Sequence, residues 1–334
     1  MALVSLGDMA QSFMLRNQNT QLKSNLQRHM QEVTTGRAQD LGKRVAGNYA
    51  PLAGIERSLA RLGAYATATD EAALMTDAMQ TALTSVNDLV EGLTSGLWTS
   101  AQARQSAHVD ALGADAASRF ASALSQLNGQ VGDRTMFAGT ATDGPALAGS
   151  ETILAALDTA ISGATTADDV ARAVSDWFDD PAGFATVGYL GNTQDLAPVT
   201  IGDGTRLSSG IRADNTAIRD TLKGLAMAAM LDRGALSGDA DGRANLATRA
   251  GEKLTAATSD LTDLQARLGV SQARIEEAAT RNTAEASSLQ VARAGIVSVD
   301  PYDAASALQE TQTQLETLYA ITARLQGLSL MDYL

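Results

Sequence analysis

The most regular pattern in the chain is a heptad repeat of apolar residues in its C-terminal third. Between about residues 245 and 293, apolar positions form two rows at seven-residue steps, and no proline interrupts them. The second row lies three residues after the first, and this spacing predicts a helix that pairs through a coiled-coil seam. At 1.5 Å per residue the helix is roughly 70 Å long, so we expect it to lie along an elongated bundle. The first row is Leu254, Leu261, Leu268, Ile275, Asn282 and Leu289, and the second is Ala257, Leu264, Ser271, Ala278, Glu285 and Ala292.

Shorter repeats of the same kind lie towards both ends of the chain. The N-terminal repeat precedes Gly36, a residue type that commonly ends helices. The C-terminal repeat follows Pro301 and is predicted to end at Gly327, with Asp303 as the helix cap. The N-terminal seam is predicted to consist of Leu15, Asn19, Leu22, Leu26, His29 and Val33, and the C-terminal seam of Leu308, Leu315 and Thr322 in one row and Ala304, Thr311, Leu318 and Leu325 in the other.

The middle of the chain has a different pattern. Residues 51–127 have helical periodicity again, whereas glycine becomes frequent from Gly129 to about Leu207. Within that part we predict short strands in FATVGYLG, APVTIGDG and TRLSSGIR, with turns between them. Residues 153–178 and 213–231 are predicted to be short helices. The apolar positions assigned to the first long helical stretch are Leu52, Ile55, Leu59, Leu62, Leu74, Met75, Met79, Leu83, Val86, Leu89, Val90 and Leu93.

These patterns predict a mainly α protein: an elongated helical bundle with terminal coiled-coil helices and a small inserted α+β domain. We expect residues 1–40 and 300–334 to form the terminal coiled coil. Residues 41–140 and 235–299 are expected to form a rod-like helical bundle. Residues 141–234 are expected to form a small mixed outer domain.

Composition and charge restrict the classes of function. The net charge of −13 disfavours binding to nucleic acid and to anionic membranes. The chain has no cysteine, which excludes disulfides, thiolate metal sites and cysteine nucleophiles. The first basic residue is Arg16, so the N-terminus lacks the positive region of a cleavable signal peptide. We therefore expect either a cytoplasmic protein or export by a route that needs no such peptide.

Candidate chemistry is sparse. His29 and His108 are the only histidines and lie in separate helical patterns, so neither is predicted to be catalytic. Asp239 and Asp241 resemble part of a calcium loop, but Thr248 stands where the bidentate Glu is needed. A turn that caps the long helix explains these aspartates better. We therefore predict a protein that is not an enzyme and that has no cofactor and no metal site.

We expect the terminal seams to form only a weak two-helix coil on their own. The N-terminal seam has four strong apolar anchors, and each contributes about 1.5–3 kcal/mol when fully buried. Ordering some thirty residues costs about 1–2 kcal/mol each, and several seam positions are polar. We therefore expect the ends to be disordered in the monomer and to order against neighbouring subunits. The residues predicted to make these contacts are Leu15, Leu22, Leu26, Val33, Leu308, Leu315, Leu318, Leu325, Leu330, Tyr333 and Leu334.

Three short segments resemble bacterial proteins of the flagellin superfamily, and within it the hook-associated proteins next to the filament. VTTGR at 33–37 is similar to the segment that ends the first helix of these proteins. RTMFAGTATD at 134–143 resembles a more specific family segment, and SLMDYL at 329–334 is similar to the family's C-terminal ending. QDLGKR at 39–44 departs from the acidic element that the family often has there.

The resemblance implies a structural, homo-oligomeric ring at the junction of the flagellar hook and filament. Its implied partners are an adjacent hook-associated protein, flagellin and a flagellar export chaperone. Its implied location is extracellular, after export through the flagellar secretion channel. Two alternatives stay open: flagellin itself, and a cytoplasmic coiled-coil scaffold without a flagellar role.

Overall fold

The computed structural model describes the backbone of residues 6–103, 106–208 and 210–331, and the side chains of 9–100, 107–208 and 210–325. This part of the chain is mainly helical, as predicted. No helix within it is both long and apolar enough to cross a membrane. The α-helices are α1 (Leu6–Thr35), α2 (Leu41–Arg44), α3 (Ala50–Ala103), α4 (Ser106–Leu127), α5 (Ser150–Ala160), α6 (Ala167–Asp179), α7 (Thr216–Ala229), α8 (Ala240–Val297) and α9 (Pro301–Met331).

Two short hairpins accompany the helices. Strands β1 (Gln130–Val131) and β2 (Arg134–Thr135) pair antiparallel, as do β3 (Val199–Gly202) and β4 (Thr205–Leu207). Gly204 has a φ of +67°, so the Gly202–Gly204 segment forms the hairpin turn that its glycines predict. Strands β3 and β4 confirm the second and third predicted strand regions.

The chain divides into two compact units. Unit 1 consists of Met1–Leu62 and Ala284–Leu334, and unit 2 of Gly63–Thr283. Helices α3 and α8 run through both. The three domains predicted from the sequence have other boundaries, and the assignment of separate inner, rod and outer domains stays a prediction.

In unit 2, α3 and α8 run antiparallel and pack in register. Thr84 Oγ1 accepts a hydrogen bond from Gln265 Nε2 at 3.2 Å. Seven residues away on each helix, Asp77 Oδ1 accepts one from Gln272 Nε2 at 2.6 Å. The α8 rows are buried at Leu254, Leu261, Leu268, Ile275 and Asn282, which confirms the predicted seam within this unit. The matching α3 positions alternate by three and four residues: Thr69, Ala72, Thr76, Met79, Leu83, Val86, Val90, Leu93 and Leu97.

Two positions of the α3 seam differ from the apolar face that the sequence predicts. Thr69 and Thr76 are buried seam residues because each hydroxyl donates to a carbonyl of the preceding turn, as Thr76 does to Ala72 at 2.8 Å. Leu74, predicted to lie on the apolar face, is 60% exposed. It lies between the seam positions 72 and 76, and the 3.5-residue repeat turns it outwards.

Asn282 anchors the β3–β4 hairpin on the long helix. Its Nδ2 donates to the Ile201 carbonyl at 2.8 Å, and Asn282 is buried. Ile201 and Leu207 form a small apolar cluster with Ala72, Ile275 and Ala278. The polar side chain of Asn282 thus joins the inserted hairpin to α8 at a seam position.

The segment RTMFAGTATD connects three parts of unit 2 through its backbone. The Phe137 carbonyl accepts from the Ala213 amide at 2.9 Å, and the Ala138 carbonyl accepts from the Asn192 amide at 2.8 Å. Between them and Thr140, Gly139 has a φ of +62°, and a Cβ there would collide with the Asn192 carbonyl. A glycine is therefore required at this turn. The segment therefore has a structural role in this fold, which accounts for its specific sequence.

The first predicted strand, FATVGYLG, is wrong. Residues Phe184–Gly188 form a five-residue π-helix, in which the Tyr189 amide donates to the Phe184 carbonyl at 2.7 Å. The Phe184 ring stacks on Phe178 with centroids 5.1 Å apart, and Trp177 meets both rings edge-on. Burial of Phe184 in this aromatic cluster outweighs the strand preference of its neighbours.

Two expected helix boundaries are also wrong. Asp300, not Asp303, caps α9, because its side chain accepts from the Tyr302 amide at 2.8 Å and Pro301 occupies the first helical position. Helix α9 continues through Gly327 to Met331.

Asp239 caps α8 by accepting from the Gly242 amide at 2.9 Å, as the capping interpretation of that turn predicts.

Helix α7 carries a partly buried ionic network. Lys223 is buried and lies 2.7 Å from Asp179 and 3.0 Å from Asp220. Asp220 also pairs with Lys253 on α8 at 3.1 Å. Burial alone would raise the pKa of Asp220, but hydrogen bonds from Lys223 and Lys253 outweigh it and lower the pKa below its usual value.

We expect Asp220 to make unit 2 sensitive to acid. Its folded-state pKa is lowered, so its contribution is present above the unfolded pKa of about 4 and is lost as pH falls through the folded pKa. Urea unfolding between about pH 5 and 3 should therefore show a smaller loss of stability in Asp220→Asn than in wild type. Asp263→Asn, which changes an exposed carboxylate on α8, is the control. Equal pH slopes for wild type and Asp220→Asn would contradict this account.

Candidate assembly surface on the terminal helices

Helices α1 and α9 of unit 1 form an antiparallel pair that is joined at one end. Arg37 and Ser298 form an antiparallel bridge between the segments that follow α1 and precede α9. The Ala38 amide donates to the Val297 carbonyl at 2.9 Å, and the Val299 amide donates to the Gly36 carbonyl at 3.1 Å. Gly36 has a φ of +67°, which ends α1 in the left-handed conformation expected at a helix C-terminus.

The residues of the predicted heptad rows differ in how far they are buried in the interface of the pair. Ala304, Thr311 and Leu318 of α9 are buried at seven-residue steps, which confirms one predicted row. The other predicted positions are only half-buried or exposed. Half-buried are Leu15, Asn19, Leu22, Leu26 and His29 on α1 and Leu308, Leu315, Thr322 and Leu325 on α9.

Polar residues weaken this interface. Asn19 Oδ1 is buried without a hydrogen-bond partner, and such an atom costs about 1–3 kcal/mol. His29 Nδ1 lies 3.0 Å from Glu32, whose other oxygen accepts from the Gln39 amide at 3.1 Å. Thr311 satisfies its hydroxyl within its own helix, at 2.8 Å from the Ala307 carbonyl. The pair therefore has polar groups at positions where a strong coiled coil has leucine or isoleucine.

Large apolar side chains lie on the outer faces of the same two helices. Phe13 and Met14 of α1 are 65% and 64% exposed, and Ile321 of α9 is 46% exposed. Val33, predicted to be a seam residue, is 42% exposed and lies outside the buried interface. Soluble monomers rarely leave such side chains clustered and uncovered. The exposed set also includes Met9, Met30, Tyr302 and Tyr319.

The predicted contact residues therefore fall into three groups. Leu318 is buried, and Leu15, Leu22, Leu26, Leu308, Leu315 and Leu325 are half-buried in the α1–α9 interface. The backbone of Leu330 is helical, whereas its side chain, Tyr333 and Leu334 lie outside the described residues. The role of all these residues in assembly stays a prediction.

Sequence reasoning missed the outward apolar residues. The 3.5-residue repeat predicts one apolar seam on each terminal helix and gives no role to apolar residues outside it. Met9 and Phe13, four residues apart, form a second apolar row beside it on α1. Apolar residues outside the seam are the signal for this surface, because a helix in a two-helix pair needs only one apolar seam.

The described residues contain no group of three or more Asp, Glu or His side chains that could hold a metal ion. Asp239 and Asp241, the residues that resemble a calcium loop, stand at the start of α8, where Asp239 caps the helix. The features of this surface are apolar and geometric, and they suit association between proteins.

Residues 252–334, about a quarter of the chain, match the family model described as the bacterial flagellin C-terminal helical region. No curated protein matches the sequence significantly. A solved structure from Vibrio parahaemolyticus, assigned by its description to flagellar hook-associated proteins, is 15% identical, with 71% of this chain and 95% of that chain covered and a TM-score of 0.42. A likeness at that TM-score supports no argument about function.

We expect the inner and outer faces of α9 to respond differently to truncation in the isolated protein. Leu318→Ala removes a buried side chain, and its cost approaches the lower end of the about 2–5 kcal/mol seen in cores. Ile321→Ala removes an exposed side chain from the same helix and should cost about 0.5 kcal/mol or less. Helix content followed by circular dichroism during mild heating should fall earlier for Leu318→Ala only. If both variants melt alike, the α1–α9 pairing is wrong.

The family match covers α8 from Glu252 onwards, the turn at Asp300 and α9. Of these elements, α9 supplies one side of the helix pair described above. Residues 252–334 of the chain are therefore similar to the C-terminal helical region of bacterial flagellin.

Proposed function

We propose that this protein is a structural subunit of the bacterial flagellum that joins the hook-associated ring to the flagellin filament. The single observation that supports assembly most directly is the incomplete burial of α1 and α9. Their shared interface is half-buried, while Phe13, Met14 and Ile321 face outwards. Neighbouring copies that cover these outer faces complete the packing that one chain leaves unfinished.

The flagellin C-terminal match supports the flagellar setting. Helices α1 and α9 come from opposite ends of the chain and pack against each other. In this proposal the two helices form the inner wall of a ring of identical copies. Unit 2, with its own buried core, is a preformed body that each copy brings to the assembly.

The proposed partners follow from this arrangement. One end of the ring contacts an adjacent hook-associated protein, and the other contacts flagellin. An export chaperone covers α9 before assembly, because an uncovered apolar helix would otherwise aggregate. The protein reaches the cell exterior through the flagellar secretion channel.

A deletion strain tests this function. We expect cells without the gene to build hooks, to shed flagellin monomers into the medium and to lose swimming. A gene that lacks codons 329–334 should give the same phenotype although unit 2 folds normally, because the C-terminal segment contacts a neighbouring copy. The measurements are electron microscopy of the cells, immunoblotting of the medium for flagellin and motility in soft agar.

Three results would contradict the proposal or favour its rivals. Unchanged motility in the deletion strain would favour a scaffold without a flagellar role. Long filaments grown from the purified protein on seeds would favour flagellin itself. A truncated protein that still supports filaments would show that residues 329–334 are not an anchor.

A further inference from the structure

An acidic groove lies between α3 and α8, entirely within unit 2. It is a cavity of about 480 Å³ that is open to solvent, and small residues form much of its floor. Ala73, Gly269 and Ala273 leave room along that floor, while Asp70 and Glu276 supply carboxylates. Asp77 adds a third carboxylate, held in place by the hydrogen bond from Gln272.

The shape and charge of this groove suit an arginine side chain. The small apolar side chains that line the groove leave room for the methylene stem, and the carboxylates accept hydrogen bonds from the guanidinium. The hydroxyls of Thr69 and Thr76, which also line the groove, donate to carbonyls of their own helix. Asp70 and Glu276 are exposed and form no ion pair with another described residue, so both are available to a partner.

The complementary charge is present in unit 1 of the same chain. Residues 37–61, named here the basic segment, contain five Lys or Arg and only two acidic residues, Asp40 and Glu56. Arg57 and Arg61 are exposed, stand one turn apart on α3 and form no ion pair with another described residue. The five cations are Arg37, Lys43, Arg44, Arg57 and Arg61.

Charge is divided unevenly between the two units. Unit 1 has ten Lys or Arg and ten Asp or Glu, so the whole net charge of −13 belongs to unit 2. From residue 62 to 103 the chain has five acidic residues and no cation. Identical copies placed side by side with unit 2 against unit 2 therefore repel each other. A staggered contact between unit 1 of one copy and unit 2 of the next is attractive.

We propose that the acidic groove of one copy binds the basic segment of an adjacent copy, with Arg57 and Arg61 as the inserted side chains. This contact is heterologous, since different surfaces of the two copies meet, and a contact of that kind closes into a ring when its rotation permits. The proposal rests on the homo-oligomeric function proposed above. The groove contact would set the orientation and stagger of neighbouring copies. It is a different surface from the apolar faces of α1 and α9.

Charge reversal with rescue tests the contact. Asp70→Lys with Glu276→Lys reverses the groove, and Arg57→Glu with Arg61→Glu reverses the segment. Each pair of changes places like charges together, so we expect the amount of protein bound to isolated hooks to fall at least about tenfold. A chain with all four changes, or a mixture of the two reversed chains, restores opposite charges and should bind within about twofold of wild type.

Matched controls separate this contact from general charge effects. Asp88→Lys with Asp263→Lys changes two exposed acidic residues of α3 and α8 that do not line the groove, and it should bind as wild type does. Immunoblots of the medium show whether each variant is exported. Because the chain has no cysteine, Arg61→Cys with Ala73→Cys provides a second measurement, and oxidation on hooks should produce a ladder of crosslinked copies.

The outcomes are distinguishable. A reversed groove that binds as the control does, a four-change chain that binds no better than a two-change chain, or the absence of a crosslinked ladder would overturn the groove contact. In each case wild-type protein on the hooks would leave the proposed function standing. Wild-type protein that does not associate with hooks would overturn the proposed function, and with it this contact.

Discussion

A pair of helices can bury only one stripe of each helix, and this limit distinguishes the two units of the protein. In unit 2 the α3–α8 pair has additional cover, because the β3–β4 hairpin packs on Ile275 and Ala278 and α7 approaches Leu254. Its seam residues are accordingly buried. In unit 1 the α1–α9 pair buries Leu318 and leaves Phe13 and Ile321 exposed. The same heptad pattern therefore forms a buried core in unit 2 and a half-buried interface in unit 1.

The heptad positions, the end of α1 and the β3–β4 turn could be predicted from the sequence because each depends on local spacing. The α8 seam and Gly36 follow from periodicity and from the backbone freedom of glycine. Tertiary contacts decided the features that the sequence did not indicate. The π-helix at Phe184 depends on the aromatic cluster with Trp177, and the buried Thr76 depends on a hydrogen bond that no apolar pattern reveals.

The candidate site shows the same division. The residues that face the partner helix, such as Leu22 and Leu318, were predicted by their spacing. The outward residues were missed, since a pattern search that stops at one seam treats Phe13 and Ile321 as incidental. The groove between α3 and α8 was also missed, because it depends on which small residues of two distant helices lie opposite each other. The distribution of net charge was missed as well. The negative charge is concentrated in unit 2, and this can be recognised only when the boundaries of the two units are known.

The central claim is that α1 and α9 reach their full stability only between neighbouring copies. Amide hydrogen exchange measured by mass spectrometry on the free protein and on protein assembled on hooks tests this most directly. We predict that peptides from residues 6–35 and 301–331 exchange rapidly in the free protein and become protected at least about a hundredfold on assembly, while peptides from α7 are protected in both states. Equal protection of the terminal helices in the two states would contradict the account.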